Sequence, residues 1–518
     1  MTNMTKTTES GAMTTMRIHE TGPATAILVD DAMEHNQPVT VIGTESIRST
    51  FDDVCLRQAI NSRHAPGVSQ LVLNPDGHRG YGAPVGCVMV SPDHLYPGPV
   101  GPDISCSMSF LQFDLPESEI KDKAVRRRLI DEILLRIPTG PGAGARNVPK
   151  GRDANMIASM GPTILLEGAT NLDVVKALGI DPSWRDRCED VGHVLNTNLP
   201  TEVLVLELGT KKGTFDRQRG VQRMQEKVTQ IGSYGGGNHF GECEVVRVVP
   251  GMEATAEAFG LKNGCVGFLS HCGSRGVGFA LAGYQFKTLQ ALFKTWSIPF
   301  PGDDKKLVYA PFGTDEFNSY RDCMRAGQNF AVLNHLLINT LVKEAFETVF
   351  PGIQANFVYH ISHNIAREEI INGQRQWVHR KGATRAYPPG HFSLVGTPFE
   401  ETGHPILLPG NPVQGSSIMV GSAGANKTCF SVNHGAGRVL GRKAAQRELD
   451  QAEVDREFEE HDILSNCRTY PVDEAPAAYK DFREVLASVE LADLAKEVAR
   501  LDARFVIKDA DQNKEGSA

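Results

Sequence analysis

Short apolar runs, most of them closed by a glycine-rich turn, are interspersed with longer amphipathic stretches along the chain. The short runs predict β-strands, and the longer stretches, whose apolar residues recur at spacings of three and four, predict helices. The predicted strands span 70–74, 86–90, 202–208, 265–270, 356–361 and 428–432. The predicted helices span 279–295, 327–349 and 439–460, with a second helical pair over 476–502. Because these elements follow no regular βαβ order, we expect a mixed α/β or α+β fold.

The chain is expected to form one large domain, because no Pro- or Ser-rich linker interrupts residues 45–508 and no solenoid-length repeat occurs. Its Ser/Thr-rich start predicts a partly disordered N-terminal extension that also carries an edge element. The expected boundaries are an extension over 1–40, the domain over 41–510 and a C-terminal tail over 511–518.

The composition excludes several classes of protein but does not identify a function. The 518 residues are 41% apolar and 22% charged, as in ordinary globular chains, and the net charge of −9 excludes a general polyanion binder. A nucleic-acid enzyme would have to gather its basic residues at one site. No apolar run of about 18 residues and no apolar signal core occur, so neither a membrane helix nor a secretory signal is expected. Ten scattered cysteines without a CxxC pair favour a reducing cytoplasm.

Residues suited to bind a metal stand in turns, several at the ends of predicted strands. Strand ends bring side chains to a common rim, and imidazole, thiolate and carboxylate together suit Zn, Mn or Fe. Such histidines are also common as hydrogen-bonded turn residues, and a lone cysteine is commonly a small buried apolar side chain. From the residues alone both interpretations stay open, and His78 is interpreted as a turn residue. The candidate residues are Asp103, Cys106, His239, His271, His363 and His434.

His434 differs from the other histidines because the glycine-rich segment GAGRVLGRKAAQ follows it and is interpreted as a helix start. Gly435 and Gly437 would let the backbone approach a ligand, and free amides at a helix start bind phosphate. Arg438 and Arg442 would add positive charge. A histidine beside such a cradle can attack phosphorus and form a phosphoramidate. The alternative, a glycine-bounded turn with a capping histidine, is the better interpretation on the pattern alone.

Two further segments carry basic or glycine-rich patterns. Residues 378–390 form a basic stretch that ends in two prolines and is expected either to contact phosphates or to be a solvated loop. Residues 421–428 resemble a phosphate-binding P-loop, but Asn426 replaces its second glycine and a β-like run follows, which excludes that motif. The KxDG motif of lysine-dependent nucleic-acid ligases is also absent. The basic residues of the first segment are Arg380, Lys381 and Arg385.

Nine strings in a fixed order give the chain its resemblance to the RtcB family of RNA ligases over roughly residues 40–508. They are NPDGHRGYGAPVG, GPDISC, IPTGPGAG, GGGNHFGE, HCGSRGVG, SHNIAREE, HRKGATRAYPPG, NHGAGR and DEAPAAYKD. No single string is decisive, but the ordered set is highly specific. The resemblance implies an α+β fold, a single large domain of mixed β-sheets and surrounding helices around a deep metal-containing cleft.

The resemblance also implies two Mn²⁺ ions and GTP as cofactors. One ion would be bound by Cys106, His271 and His363, and the other by Asp103, Cys106 and His239, so that the thiolate bridges both. His434 matches the histidine that becomes guanylylated and is the expected catalytic residue. The residues expected to contact the guanylate are Asn238, His239, Phe240, Gly241, Glu242, His363, Asn364, Pro409, Gly410, Asn411, Pro412, Ser417, Gly435, Ala436, Gly437 and Lys508.

The implied activity is GTP- and Mn²⁺-dependent RNA ligation. A 2′,3′-cyclic phosphate or 3′-phosphate RNA end would be joined to a 5′-hydroxyl end through a histidine guanylate, in tRNA splicing or RNA repair. The implied partners are RNA with these ends and GTP, without a membrane, and an accessory activator protein is compatible with the sequence.

The chain departs from the family pattern at several positions. PGNPVQG over 409–415 replaces the usual PGSMG and puts Asn411 where a serine is expected; further differences are Ser107, Cys272 and Gly441. The altered loop changes the expected GTP contacts and substrate range and indicates a divergent branch, with repair of cleaved RNA as the alternative to tRNA splicing. An alternative function keeps the fold without ligation, as a metal-dependent RNA end-processing phosphoesterase or a GTP- or RNA-binding regulator.

Overall fold

A computed structural model of the chain describes residues 15–33, 35–142 and 148–509. Its strands are β1 (Met16–Gly22), β2 (Thr25–Asp30), β3 (Val39–Ile42), β4 (Gln70–His78), β5 (Val85–Ser91), β6 (His94–Leu95), β7 (Ser107–Pro116), β8 (Thr210–Lys211), β9 (Thr214–Phe215), β10 (Phe240–Val248), β11 (Cys265–Cys272), β12 (Ala310–Pro311), β13 (Ala355–Ser362), β14 (Asn364–Ile371), β15 (Gln374–Lys381), β16 (Ala383–Arg385), β17 (Pro405–Asn411), β18 (Gly415–Gly421), β19 (Ser431–Asn433), β20 (Leu464–Ser465) and β21 (Ala495–Ile507). Its α-helices are α1 (Glu45–Ser49), α2 (Asp53–Arg63), α3 (Lys123–Arg136), α4 (Ala154–Ser159), α5 (Gly161–Leu166), α6 (Leu172–Ala177), α7 (Leu199–Gly209), α8 (Arg217–Val228), α9 (Glu253–Phe259), α10 (Arg275–Thr295), α11 (Asp315–Val349), α12 (Arg442–Glu448), α13 (Gln451–Glu460) and α14 (Phe482–Leu491).

Two large sheets organise these elements. The first has seven strands in the order β1-β2-β3-β4-β5-β15-β14. The second has eight, in the order β13-β7-β11-β10-β21-β18-β17, with β20 paired to β21. Most neighbours are antiparallel, while β3 with β4 and β20 with β21 are parallel. The fold is therefore α+β, as expected, with mixed sheets and surrounding helices in one domain.

The longest helix, α11, packs against the second sheet and against α3 and α10, and most of its side chains are buried. Thr314 caps its first turn by accepting a hydrogen bond from the Phe317 N–H at 3.2 Å. Near its other end Phe346 stacks on Phe113 of β7, with a ring-centroid distance of 4.0 Å. Close packing of this kind holds the strands of the second sheet in fixed positions.

Four neighbouring strands of the second sheet each have one end on the same side of the sheet, and these strand ends together form the shared edge. Strands β7 and β10 begin there, and β11 and β13 end there. In register, Ser107 of β7 faces Cys272 of β11 and Ser362 of β13, and Phe240 of β10 faces His271 of β11. Antiparallel neighbours alternate in direction, so strand beginnings and ends meet at the same edge.

Most predicted strands and helices are confirmed, but the apolar run 202–208 is part of helix α7 and not a strand. Pro200 stands in the first turn of α7, a position that favours a helix start. The consecutive residues Val203, Leu204 and Val205 are all buried. A short run that is apolar at successive positions lacks the periodicity that separates a helix from a strand.

The C-terminal part also differs from expectation. The expected helical pair over 476–502 is wrong, because α14 is followed by strand β21, which lies between β10 and β18. Charged residues interrupt the apolar alternation of β21 and hide it in the sequence. The stretch 439–460 forms two helices, α12 and α13, rather than one. The run 428–432 yields only the short strand β19, since Cys429 and Phe430 adopt left-handed conformations with φ of 52° and 50°.

The N-terminal segment contributes a hairpin, β1 and β2, to the first sheet, with β1 at the edge. The disorder predicted at the start of the chain and the tail over 511–518 fall outside the described residues. The boundaries at residues 40 and 510 stay predictions. No helix in the described ranges combines the length and the apolar composition needed to span a bilayer.

The basic stretch 378–390 is neither a phosphate-binding loop nor a solvated one. Arg380 is fully buried, and its two terminal nitrogens donate to Glu369 at 2.5 and 2.9 Å. Lys381 Nζ donates to three backbone carbonyl oxygens. Arg385 pairs with a buried glutamate. Because buried charges need partners, the three basic residues are committed to holding β15 and β16 in place.

Removal of one partner of the Arg380–Glu369 pair is expected to destabilise the fold. In Arg380→Met the Glu369 carboxylate would stay buried without its guanidinium, which costs about 3–5 kcal/mol. Urea unfolding should therefore show a clear drop in the midpoint. The control is Arg375→Met, which breaks an exposed pair with Glu368 at 3.5 Å and should cost less than about 1 kcal/mol. Equal midpoints for the two variants would contradict the structural role.

Candidate active site

At the shared strand edge, five side chains bring their ligand atoms together. Cys106 Sγ lies 3.4 Å from His239 Nε2 and 3.2 Å from His271 Nε2. His271 Nε2 lies 3.2 Å from His363 Nε2, and His239 Nε2 lies 2.9 Å from a carboxylate oxygen of Asp103. Two groups result, each with its ligand atoms within 4.8 Å of one another: Cys106 with His271 and His363, and Asp103 with Cys106 and His239.

The chemistry of these side chains fits a transition metal. Burial lowers the pKa of His271 and of His363 well below the ordinary value, so both rings are neutral and can offer lone pairs to a cation. Burial acts to raise the pKa of Asp103, but the charge of His239 outweighs it and lowers that pKa. Burial raises the pKa of the Cys106 thiol, whereas a bound cation would favour the thiolate. Sulfur, nitrogen and oxygen ligands together suit Mn, Zn or Fe.

Glycines in the surrounding strings let the backbone approach the ligands. A Cβ at Gly273 would lie 2.7 Å from an Asp103 oxygen and 3.0 Å from the Cα of Cys106. A Cβ at Gly235 would lie 2.1 Å from Nδ1 of His239. Gly273 of HCGSRGVG and Gly235 of GGGNHFGE are therefore required by close packing around the ligand residues.

His434 stands beside this group, directly after β19. Its Nδ1–H donates to a carboxylate oxygen of Asp76 at 2.6 Å, and the same nitrogen lies 3.0 Å from the Gly382 carbonyl oxygen. Both partners are acceptors, so in the neutral ring the proton lies on Nδ1 and the lone pair on Nε2. The His434 ring lies 4.7 Å, centroid to centroid, from the ring of His363. The Nε2 lone pair of the neutral ring is thus available close to the metal-ligand group. This group comprises the five candidate ligands Asp103, Cys106, His239, His271 and His363.

Asp76 contacts Nδ1 of His434 and was not among the site residues expected from the sequence. It is fully buried, and Lys480 holds the backbone on both sides of it: Nζ donates to the carbonyl oxygens of Pro75 and Gly77 at 2.8 and 2.7 Å. The Lys480 backbone N–H donates to the Gly437 carbonyl oxygen at 2.9 Å. One lysine therefore fixes both the aspartate and the loop that follows the histidine. The string NPDGH was the only sequence signal for this carboxylate.

The glycine-rich segment after β19 is a loop and not the start of a helix. Helix α12 begins only at Arg442. Gly437 has a φ of 74°, and a Cβ there would lie 2.3 Å from the Asp76 carbonyl oxygen, so this position requires glycine. Arg438 and Arg442 line the cleft, but both are paired with Glu474. Loop amides, rather than those of a helix start, are the candidates to meet a phosphate.

A cleft of about 670 Å³ opens over these side chains. His239 lies behind its wall in the metal-ligand group, and Gly241 and Ser417 do not line it. Ser416 lines it instead, because successive residues of β18 face opposite sides of the sheet. The remaining residues expected to contact a nucleotide all line the cleft: Asn238, Phe240, Glu242, His363, Asn364, Pro409, Gly410, Asn411, Pro412, His434, Gly435, Ala436, Gly437 and Lys508.

The cleft also carries an aromatic ring and several charged groups. Lys508 Nζ donates to Glu474 at 2.9 Å. Burial acts to raise the pKa of Glu474, but Lys508 and two arginines outweigh it and lower that pKa to about 2. Burial raises the pKa of Glu242 to about 8. With the half-buried Phe240 ring, these groups can hold a heterocycle while His434 and the glycine-rich loop face its phosphates.

The unusual loop at 409–415 still forms a wall of the cleft. The Asn411 side chain caps its own turn, because Oδ1 accepts from two backbone N–H groups at 3.1 and 2.9 Å. The Pro409 carbonyl oxygen accepts from the Ala436 N–H at 3.2 Å. The loop is therefore hydrogen-bonded directly to the glycine-rich loop beside it in the cleft wall.

Known proteins similar to this chain share nearly its whole length. A family model described as tRNA-splicing ligase RtcB matches residues 58–509. The tRNA-splicing ligase RtcB of Thermococcus kodakarensis is 33% identical over 478 residues, covering 89% of this chain and 92% of that protein. That of Nanoarchaeum equitans is 34% identical over 492 residues, covering 91% and 95%. The RNA-splicing ligase RtcB homolog 1 of Entamoeba dispar is 32% identical over 475 residues, covering 88% and 82%.

Loss of the shared thiol is expected to abolish both ligand groups. Cys106 belongs to both, whereas His271 belongs to one. After equilibration with Mn²⁺ and gel filtration, elemental analysis should find metal in the unmodified protein, less in His271→Ala and almost none in Cys106→Ala. The control is Cys243→Ala, an equally buried thiol of β10 outside both groups. Full metal content in Cys106→Ala would show that the metal binds elsewhere.

Proposed function

The chain belongs to the RtcB family, and on that premise we propose that it is an RNA ligase that uses GTP and Mn²⁺ through a guanylate on His434. It would join a 2′,3′-cyclic phosphate or 3′-phosphate RNA end to a 5′-hydroxyl end. One observation carries the proposal. His434 is bound through Nδ1 to Asp76 at 2.6 Å, which leaves Nε2 as a nucleophile in the cleft that also holds the metal-ligand group.

The first step is nucleophilic attack on GTP. The Nε2 lone pair of His434 forms a bond to the α-phosphorus, and the bond to pyrophosphate breaks with its electron pair leaving on pyrophosphate. The imidazole gains positive charge, which Asp76 stabilises through the Nδ1–H. Metal ions held by the two ligand groups would offset the charge of the phosphates.

The guanylate then passes to RNA. Water opens a 2′,3′-cyclic phosphate to a 3′-phosphate, whose oxygen attacks the phosphorus on His434. The P–N bond breaks and its electron pair returns to Nε2. The 5′-hydroxyl of the second RNA end attacks the activated 3′-phosphate, loses its proton, and GMP leaves. The backbone amides of Gly435 and Gly437 would stabilise the oxygen charge that develops in these steps, whereas the Ala436 amide is engaged with Pro409.

Guanine is proposed to lie against Phe240, with its edge toward Glu242 and Lys508. An aromatic face stacks on a base, and the two polar side chains offer hydrogen-bonding groups to its edge. Ser416 replaces Ser417 as the hydroxyl that faces the cleft. Asn411 contributes backbone rather than side chain, because its side chain is committed to its own turn.

A second candidate function is a metal-dependent RNA end-processing phosphoesterase or a GTP- or RNA-binding regulator. The Asn411 turn favours it, since it removes a side chain from the expected nucleotide contacts. The hydrogen bond from Ala436 to Pro409 supports the ligase instead, because it keeps the altered loop at the cleft wall.

We place the protein in the cytoplasm. All ten cysteines lie in described residues, and each is a free thiol. Free thiols persist in reducing compartments, whereas secreted chains usually pair theirs.

Incubation with α-labelled GTP and Mn²⁺ tests the nucleophile. The unmodified protein should acquire an acid-labile, alkali-stable label, and His434→Ala should acquire none. Asp76→Asn should label more slowly by a factor of about 10²–10⁴, because the Nδ1 partner no longer fixes the tautomer. The exposed His461→Ala should label normally. Absence of label on the unmodified protein with any divalent metal would favour the non-ligase function.

Lys480 is expected to act as a positioning residue. Lys480→Met removes both hydrogen bonds that hold the Asp76 segment without altering the cleft wall. A displacement of about 1 Å at a reacting centre costs about 100-fold in rate, so kcat of guanylylation should fall while KM for GTP and metal content stay unchanged. Lys480→Arg, which retains donors, should lose less. A rise in KM with unchanged kcat would contradict a positioning role.

A further inference from the structure

A second cavity, of about 410 Å³, lies between helix α11, strands β14 and β15 and the segment 385–393. None of its lining residues lines the active-site cleft. Its size falls within the range of sites for small ligands. The side chains that matter for its chemistry are Arg325, Gln328, Arg367 and Phe392.

Hydrogen-bond donors are in excess in this cavity. The Gln328 side chain is 1% exposed, and its Nε2 has no partner among the described residues. Its Oε1 is already engaged with His193 Nε2 at 3.0 Å, which directs the amide group. The Nε of Arg367 is likewise buried without a partner in the described ranges. Buried donors that lack acceptors are costly, so an acceptor-rich ligand would be favourable here.

The acidic residues of the cavity do not meet this need. Three acidic residues line the cavity, and each has a basic partner. Asp190 accepts from Arg367 Nη1 at 2.8 Å, Glu369 accepts from the buried Arg380 at 2.5 and 2.9 Å, and Glu368 lies 3.5 Å from Arg375 Nη1. Arg325 lines the cavity half-buried, and no ion pair within 4.0 Å involves it in the part of the chain that the structure describes. A guanidinium without a close ion pair in the described residues, beside two buried donors that lack partners there, is an arrangement that binds phosphate or carboxylate oxygens.

An open aromatic face adds a second element of recognition. Phe392 lines the cavity and is 56% exposed, although the His391 ring lies 4.4 Å from it, centroid to centroid. The neighbouring Tyr387 ring cannot serve, because His391 stacks on it at 4.0 Å and Arg385 lies over it at 5.0 Å. An exposed aromatic ring beside cationic donors is the pattern with which proteins stack a base and hold its phosphate.

We propose that this cavity is a second nucleotide-binding site, with a phosphate held by Arg325, Gln328 and Arg367 and a base stacked on Phe392. The nucleotide is either a free monophosphate or one residue of an RNA strand. Binding at this cavity needs neither GTP nor chemistry at His434, so it can be tested independently of the ligase reaction.

Photo-crosslinking locates the binding directly. The probes are 5-iodouridine monophosphate and a ten-nucleotide RNA with one 5-iodouridine, irradiated with the full-length protein without GTP or Mn²⁺ and mapped by peptide mass spectrometry. We expect an adduct on the peptide that contains Phe392, resolved from any adduct at Phe240 in the active-site cleft. An adduct with the monophosphate identifies a free nucleotide as sufficient, and one with RNA alone identifies a strand.

Three variants and one control test the assignment. Arg325→Gln removes the free charge, and Gln328→Glu keeps the acceptor for His193 but replaces the donor by an anion. Each should lower the yield of the Phe392 adduct about tenfold or more, as expected for one lost hydrogen bond to a charged group. The control Arg321→Gln lies one turn earlier on α11, where Arg321 pairs with Asp322, and should crosslink normally.

The variant Phe392→Ser completes the set. It removes the crosslinking ring from the surface, and the RNA and monophosphate adducts at this site should both disappear. Adducts confined to the active-site cleft, or Phe392 adducts of equal yield in Arg325→Gln, Gln328→Glu and the unmodified protein, would overturn the proposal. Failure of GTP labelling at His434 would leave this outcome unaffected and would count against the ligase reaction alone.

Discussion

The proposed chemistry of the cleft depends on the hydrogen bond from His434 Nδ1 to the buried carboxylate of Asp76. This hydrogen bond sets the tautomer, and therefore decides which nitrogen carries the lone pair. Neighbouring residues hold the two partners of this contact in place. Lys480 holds the backbone on both sides of the aspartate, and Gly437 is required because the Asp76 carbonyl oxygen occupies the space that a Cβ would need. Without the contact with Asp76, the tautomer of His434 would depend, among the described residues, on the Gly382 carbonyl oxygen alone.

The second constraint is the shared edge of the eight-stranded sheet. Antiparallel order puts the beginnings of β7 and β10 beside the ends of β11 and β13. Candidate ligands from segments far apart in the chain, such as Cys106 and His363, thereby meet. The long helix α11 packs behind these strands, so the ligand positions depend on the core of the domain. Site geometry and fold stability are for this reason closely linked.

The features that depend on short strings or on periodicity could be predicted from the sequence. The positions of side chains that depend on contacts with residues far along the chain could not. The histidines at strand ends and the fold class could be predicted, because each depends on a short string or on periodicity. Arg380 could not be placed, because its burial depends on Glu369, whose proximity only the folded sheet creates. Asp76 has no periodic signal and lies far along the chain from its partner. The choice between Ser416 and Ser417 depends on which face of β18 meets the cleft, and a one-residue change in strand phase reverses it.

The most direct test of this account is a crystal structure of the protein soaked with Mn²⁺ and GTP, with diffraction data collected at the manganese absorption edge. We expect two anomalous peaks that share Cys106 Sγ, together with continuous density from Nε2 of His434 to the phosphorus of GMP. Peaks outside the two ligand groups, or a guanylate on another side chain with His434 unmodified, would contradict it.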